Sequence, residues 1–267
     1  MSRLVKQPRL VKNPGLDEIL AFCAEDPIER VFLEDVARRG LGRFAGLRGG
    51  DRLAALCYLG TNIVPSGNGA SAFARLAAAA QPRMIVGDER AVGELWDAAA
   101  KRLPRPRDDR SGQPVYVLEE VPSEAGTNLR PASVDDLPLL VPASAAAFLE
   151  EVGVDAYARD PVLFTARTRT QIEEGRSWLW EEGGQILFKA EASAWTPYAV
   201  QLQQVWVDPE LRGRGYGKRG LADLCHLLLA NVPAVCLFVR AENTPAIGLY
   251  EAIGMRRIGA YRSLIFD

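Results

Sequence analysis

The chain has 267 residues, 48% of them hydrophobic and 25% charged, with a formal net charge of -2. That balance excludes large-scale disorder and provides apolar surface for a sizeable core, and the length suits one large domain or two of about 130 residues. A near-neutral charge offers no global field to nucleic acid or an anionic membrane, and no stretch approaches the ~20 apolar residues of a membrane span. The N-terminus carries Arg3, Lys6, Arg9 and Lys12 without the apolar run of a signal peptide. Cys23, Cys57, Cys225 and Cys236 are widely spaced and His226 is the single histidine, so a cytoplasmic protein with reduced thiols and no metal site is expected.

Residues 53–64 have the composition of strand, 70–80 of an Ala-rich helix, 83–86 of a short strand and 89–102 of a second helix. Pro104, Pro106, Pro114 and Pro122, with the charged run 105–110 among them, mark the passage between domains at residues 1–125 and 126–267. Within that passage, residues 115–120 are apolar enough for the last strand of the first domain. Residues 128–132 open the second domain as a strand, and Ser133 followed by Asp135 and Asp136 caps a helix over 137–152. Asp160-Pro161 starts another helix, with Asp as cap and Pro at the first helical position, and Gly175 ends it. Residues 177–180 and 186–192 flank Glu182-Gly183-Gly184, a hairpin signature. A strand over 200–207, a helix over 221–230, a strand over 234–239, a helix over 245–252 and a strand over 257–266 follow. The order β-α-α-β-β-β-α-β-α-β describes an α/β fold with a mixed sheet. Ala91-Val-Gly-Glu-Leu-Trp-Asp-Ala echoes Ala246-Ile-Gly-Leu-Tyr-Glu-Ala, so an internal duplication competes with the likeness that short Ala-rich helices share by composition.

The chemistry centres on Val205-Trp-Val-Asp-Pro-Glu-Leu-Arg-Gly-Arg-Gly-Tyr-Gly-Lys-Arg-Gly, which runs from a strand through a Pro turn into a glycine-rich loop and a helix. Gly213, Gly215 and Gly217 let the backbone approach an anion, helix-start amides point at it, and Arg212, Arg214 and Lys218 add positive charge. Gly215-x-Gly217-x-x-Gly220 also satisfies the dinucleotide fingerprint, with Arg240 as a 2′-phosphate partner, but that fold turns directly from strand into glycine and needs further β-α-β units. A phosphate-binding P-loop needs Gly-Lys-Ser/Thr, whereas Lys218 is followed by Arg219. A ligand-free basic turn is the remaining alternative.

The segment Val207-Asp-Pro-Glu-Leu-Arg212-Gly-Arg-Gly215-Tyr-Gly217 resembles the R-x-x-G-x-G pyrophosphate motif of the GNAT acyltransferase superfamily. At the expected distance, Asn243-Thr-Pro-Ala246-Ile-Gly-Leu249-Tyr250-Glu-Ala-Ile-Gly254-Met255 resembles that family's N-x-x-A-x-x-L-Y-x-x-x-G-F, with Met in place of Phe. Leu129-Arg-Pro-Ala-Ser-Val-Asp-Asp-Leu is similar to the first strand and helix of such domains. The whole chain resembles actinobacterial two-domain members, with a smaller, degenerate GNAT-like α/β domain ahead of a competent one. In the first half Ile63-Val-Pro-Ser-Gly-Asn-Gly is the nearest echo of the loop, without its arginine or third glycine.

The resemblance implies acetyl-CoA as acyl donor, lying where two parallel strands splay apart. Val205, Trp206 and Val207 would hold the pantetheine arm like an added strand, and the amides of Gly213, Arg214, Gly215, Tyr216, Gly217 and Lys218 the pyrophosphate. Asn243 would contact the cofactor or fix the following helix. An amine would attack the thioester directly, and Tyr250, a phenol of pKa ~10 beside a thiolate of ~8.5, would serve as general acid to the departing thiolate. Glu191, on the strand before the cofactor strand, is the candidate base or else a surface carboxylate; Gln201, Gln203 and Gln204 occupy the stretch where some members place a carboxylate, which argues against a base on that strand, and water could relay the proton instead. His226, within an apolar helix, is read as packing. Acids between Glu150 and Arg176 would attract an amine or form a solvated face. The acceptor is a small-molecule or protein amine, and the first domain would shape its cleft, complete the sheet or mediate homodimer formation. A non-catalytic acyl-CoA-binding regulatory module is the alternative.

Overall fold

The computed structural model describes residues 8–266, so Arg3 and Lys6 of the basic N-terminus lie outside the described residues. In chain order the first ten elements are β1 (Arg9–Lys12), α1 (Leu16–Cys23), α2 (Val31–Arg38), β2 (Phe44–Gly49), β3 (Arg52–Leu59), β4 (Asn62–Gly67), α3 (Ala74–Ala80), β5 (Met84–Asp88), α4 (Glu89–Ala99) and β6 (Asp108–Leu118). Then follow β7 (Arg130–Pro131), α5 (Leu137–Val152), α6 (Ala156–Arg159), α7 (Pro161–Glu173), β8 (Ser177–Glu182), β9 (Gln185–Trp195) and β10 (Ala199–Trp206). The last elements are α8 (Tyr216–Leu229), β11 (Ala234–Phe238), α9 (Thr244–Ala252) and β12 (Arg256–Ile265). The β-α-α-β-β-β-α-β-α-β order expected for the second half holds there once α6 is taken as the start of α7, and it recurs in the first half. The pairing sense recurs too: β4 runs parallel to β5 and antiparallel to β3, as β10 runs parallel to β11 and antiparallel to β9.

The described residues form two compact units: residues 8–116, 238–244 and 257–266, and residues 117–237 and 245–256. In the first unit the strands are ordered β1-β2-β3-β4-β5-β12-β6. β12 pairs antiparallel with β5, from Tyr261↔Asp88 to Ile265↔Met84, and its Leu264 and the following Phe266 join Ile63, Phe73, Ile85 and Leu95 in the core. Burial of side chains of this size contributes roughly 1.5–3 kcal/mol each. Of the charged run 105–110 that sequence alone assigns to a linker, residues 108–110 are strand, because their charges find partners: Arg262 grips Asp109 at 2.7 and 2.9 Å and Arg110 pairs with Asp108 at 2.6 Å. Gln113 donates to Ser263 Oγ at 2.8 Å in the interior beside them.

In the second unit the order is β11-β10-β9-β8-β7. Entry into α5 is fixed by Asp136, whose carboxylate accepts from the Ser133 amide at 2.7 Å, the Ser133 hydroxyl at 3.0 Å and both arms of Arg130 at 2.7 Å. These bonds, Arg130 foremost, hold its carboxyl well below the usual range. Asp160 caps α7 at the Leu163 amide, 2.9 Å away, with Pro161 at the first helical position. The β8–β9 turn uses Gly183 and Gly184 at φ 60° and 83°.

Candidate active site

The site starts from an interruption in β10. β10 pairs with β11 only at Ala199↔Ala234, Val200↔Val235 and Gln201↔Cys236, yet continues to Trp206. On its other side Gln203 faces Glu191 and Trp206 faces Lys189, so Gln204 and Val205 together oppose one residue of β9. This is a β-bulge, and Gln204 adopts the left-handed φ of 49° that it requires. A bulge bends its strand, which accounts for the early end of the parallel pairing. Val205 and Trp206, with Val207 just beyond, therefore present backbone groups that β11 does not pair.

The chain then enters the loop through a short 3-10 turn, Pro209–Leu211, where Asp208 accepts from the Glu210 amide at 3.0 Å. Gly213 and Gly215 take φ 75° and 82°, and the space where their side chains would stand is open. Helix α8 begins at Tyr216 rather than at residue 221, so its first amides and those of the loop from residue 213 to 218 form one row, with no acceptor for them among the described residues. Gly217 abuts α9: a Cβ there would lie 3.3 Å from Leu249 and 3.5 Å from Val207. Gly220 has a packing reason, since a Cβ would overlap the Phe188 ring. With antiparallel β9 on one side of β10, the third glycine of the apparent dinucleotide fingerprint thus serves helix packing in a different topology.

Arg214 and Lys218 are exposed beside the amides. Arg212 is engaged elsewhere, donating to both oxygens of Glu150 at 2.7 and 2.9 Å and to the Val207 carbonyl at 3.1 Å. Both partners are about half exposed, at 48% and 45%, so the pair is weak and exchangeable. Tyr216 packs edge-on to Trp180 at 5.3 Å, and Arg219 lies over both rings. Tyr250 is buried on α9, the helix whose Leu249 meets the loop. Burial, with a contribution from the Glu151 charge, pushes its phenol well above the ordinary value. Asn243 sits in the exposed turn ahead of α9, its amide donating to the Arg240 carbonyl at 3.0 Å.

Glu191 is not on the surface. It forms an ion pair of 2.7 Å with Lys189, which is fully buried and also donates to Ser144 Oγ at 2.7 Å and Gln204 Oε1 at 2.8 Å. Burial pushes the Glu191 carboxyl up, but the Lys189 ammonium and hydrogen bonds from Lys189, Ser144 and Gln171 outweigh it and hold it below the usual range. The residue assigned as base from sequence thus stands paired with an ammonium. Its oxygens border a recess of about 20 Å³, room for a water or for the narrow end of a ligand. Phe148 of α5 and the Phe164, Arg167, Thr168 and Gln171 face of α7 form one wall, and Gln203 and Gln204 of the bulge another. Lys189 was legible as a hint: Lys and Glu two apart in an otherwise apolar strand share one face and must find partners there.

The first unit has a comparable turn whose amides are taken from within the chain. After β4, the amides of Gly69 and Ala70 both donate to Glu94 Oε2 at 2.9 Å, and Arg90 secures the other oxygen at 2.7 Å. Glu94 is the counterpart of Leu249 in the repeated helix, so a carboxylate from α4 takes the place an external anion would need.

The second unit is thus an α/β domain in which an opened parallel strand pair leads into an amide-lined loop. Residues 145–255 match the model of the Acetyltransferase (GNAT) family, and residues 42–140 that of the Domain of unknown function DUF4081. The chain thus carries a GNAT acetyltransferase-family domain. It is 36% identical over 66 residues to the N-alpha-acetyltransferase RimI of Mycobacterium tuberculosis, covering 25% of this chain and 40% of that protein. It is 41% identical over 68 residues to a mycothiol acetyltransferase of a Nocardioides species, covering 24% of this chain and 23% of the relative. Each match therefore spans less than half of the curated relative. A tandem GNAT protein from the clavulanic acid biosynthesis pathway shares the fold over 96% of this chain and 98% of its own, at TM-score 0.56 and 15% identity. A GCN5-related N-acetyltransferase from Sphaerobacter thermophilus does so over 95% and 94%, at TM-score 0.58 and 16% identity.

Proposed function

We propose that the second unit is an N-acetyltransferase that moves the acetyl group of acetyl-CoA to a primary amine by direct attack, through a tetrahedral intermediate. The observation that carries this reading is the gathering, within one unit, of the opened β10 strand, the amide row of residues 213–218 and the buried Tyr250 on the helix packed against that row. The loop fits a diphosphate: its glycines leave open space, its amides converge at a helix start, and Arg214 and Lys218 add charge. Arg212 joins them by exchanging Glu150 for phosphate oxygen. Backbone groups of Val205, Trp206 and Val207 pair with the pantetheine arm, and Asn243 steadies the start of α9 or the donor itself.

The donor supplies a thioester carbonyl. A nitrogen–carbon bond forms as the carbon–sulfur bond breaks, one proton leaves the nitrogen and one reaches the sulfur. A backbone N-H of the opened strand meets the oxyanion. Tyr250, kept protonated by burial, donates a hydrogen bond to the sulfur as negative charge develops there. Since Glu191 is committed to Lys189, the amine proton departs through water in the recess.

That same commitment favours one rival reading, a non-catalytic acyl-CoA-binding regulatory module. Thiol release from acetyl-CoA across an amine panel separates the two. The panel includes a peptide with a free α-amine, since one relative is named for N-alpha-acetylation. Amine-dependent release is expected, and Tyr250→Phe lowers kcat by about 10²–10⁴ while leaving the acetyl-CoA Kd unchanged. Acetyl-CoA binding without release to any amine puts the binding module ahead, and binding of NADPH in its place rules out both.

A further inference from the structure

The charge lining the recess is the opposite of what the acidic sequence around it suggests. Glu150 is taken by Arg212, Asp155 and Asp160 cap helices at the Ala158 and Leu163 amides, Glu173 pairs with Arg169 and Glu174 with Arg176. None of these carboxylates borders the recess. Glu191 does, but Lys189 neutralises it from beneath at 2.7 Å. The charge left over is that of Arg167.

Arg167 is exposed, and among the described residues it has no hydrogen-bond or ion-pair partner. It is not on a solvated back face of its helix. Phe164, Arg167, Thr168 and Gln171 stand at spacings of three and four along α7, which puts all four on the side facing β9 and β10. Thr168 is buried and Gln171 donates to the Ala192 carbonyl of β9 at 3.4 Å, so this side is anchored against the strands and Arg167 is held at the mouth. A guanidinium so placed is a fork for a planar or tetrahedral anion. Phe148 and Phe164, edge to face at 6.3 Å, give the mouth an apolar wall, and Gln203 and Gln204 carry amides on the bulge.

We propose that this recess receives the acceptor, and that Arg167 selects an amine whose own molecule also bears an anionic group, a carboxylate or a phosphate. The inference rests on the acyl-transfer reading of the same unit. The amine enters toward the bulge and the anion stays at the mouth on Arg167, so the side chain determines specificity without taking part in bond making.

The test compares matched acceptors in thiol-release assays with acetyl-CoA and the full chain. γ-Aminobutyrate is set against its amide, and phosphoethanolamine against ethanolamine, in wild type, Arg167→Gln and Arg167→Lys. Wild type is expected to favour the anionic member of at least one pair by about tenfold to a hundredfold in kcat/KM, the span of a charged hydrogen-bonded contact. The loss should appear in KM, Arg167→Gln should abolish the preference, and Arg167→Lys should restore part of it. The pair that shows the preference identifies the anion. Equal rates within both pairs, or a preference that survives in Arg167→Gln, would overturn the inference while leaving acyl transfer intact. Absence of release from every amine, with acetyl-CoA still bound, would overturn the transfer reading and this inference with it.

Discussion

Replacing Lys189 with Met removes half of a buried ion pair. The ammonium is fully buried, the Glu191 side chain is 7% exposed, and the two meet at 2.7 Å. At an effective dielectric constant of ~20 that separation corresponds to about 6 kcal/mol of gross attraction, most of which the desolvation of both groups cancels. The net value of the pair is therefore small, but breaking it strands a buried carboxylate, at a cost of about 3–5 kcal/mol. Glu191→Gln should cost a similar amount by stranding Lys189. The double change Lys189→Met/Glu191→Leu should recover most of the loss, returning to within about 1 kcal/mol of wild type or above it. Urea unfolding followed by tryptophan fluorescence reads this unit, because Trp178, Trp180, Trp195 and Trp206 belong to it and Trp96 does not. The Lys189 bond to Gln204 also braces the bulge, so acetyl-CoA affinity should fall in the single Lys189 variant and stay low in the double one. Acidification provides a second check. A carboxyl held below its ordinary 4.5 contributes stability that is present above that value and lost as pH falls through the depressed one, and Lys189→Met should remove this acid-side slope. Single variants costing under ~1 kcal/mol, or a double variant as damaged as the sum of the singles, would refute the description of a coupled buried pair.

Calorimetric titration should find one acetyl-CoA bound per chain, since Glu94 occupies the loop amides of the first unit; Glu94→Ala should lower that unit's stability by about 1–3 kcal/mol through the two unpaired amides. Glu29 is pushed up to about 7 by burial, against the hydrogen bond from Ser66 and the charge of Arg30. A raised carboxyl pKa means stability fully present below the ordinary 4.5 and lost as pH rises through about 7, so scanning calorimetry should show the first unit weakening over that window and Glu29→Gln flattening the change. Gly220→Ala should destabilise the second unit by about 1–3 kcal/mol because of the Phe188 ring, whereas Gly213→Ala meets open space and costs about 1–2 kcal/mol for its φ of 75°, with weaker acetyl-CoA binding as the larger effect.

Where backbone geometry forces a residue type, the sequence was readable. Gly183, Gly184, Gly213 and Gly215 all carry positive φ, and Ser133-x-x-Asp136 and Asp160-Pro161 are caps whose bonds form as their spacing implies. Residues 9–49 gave little, because their elements are short and Glu34 and Asp35 of α2 are buried carboxylates that spoil an apolar stripe. The run 105–110 read as linker because its partner, Arg262, stands 153 residues from Asp109 and no local pattern announces it. At the site, the loop could be singled out by its glycines and Tyr250 by its resemblance to the family's second motif, but the state of Glu191 could not. That state depends on Lys189, Ser144 of helix α5 and a bulge at Gln204, and bulges leave no periodic trace. Arg167 was hidden for a similar reason, since its importance lies in the partners its acidic neighbours have already taken.

The place of β12 bears on how the molecule is made. Domains usually fold as they leave the ribosome, the first one first, at about 5–20 residues per second. Here the first unit needs Leu264 and Phe266 in its core, Ser263 as partner to Gln113 150 residues earlier, and Tyr261, whose hydroxyl donates to the Glu29 carbonyl across 232 residues. Its sheet stays unfinished until those residues have been synthesised, on the order of ten seconds after β5 has emerged. During that interval β5 exposes an unpaired edge, a liability in a nascent chain. The second unit, whose last segment ends at residue 256, can close before the first, which reverses the customary order of assembly.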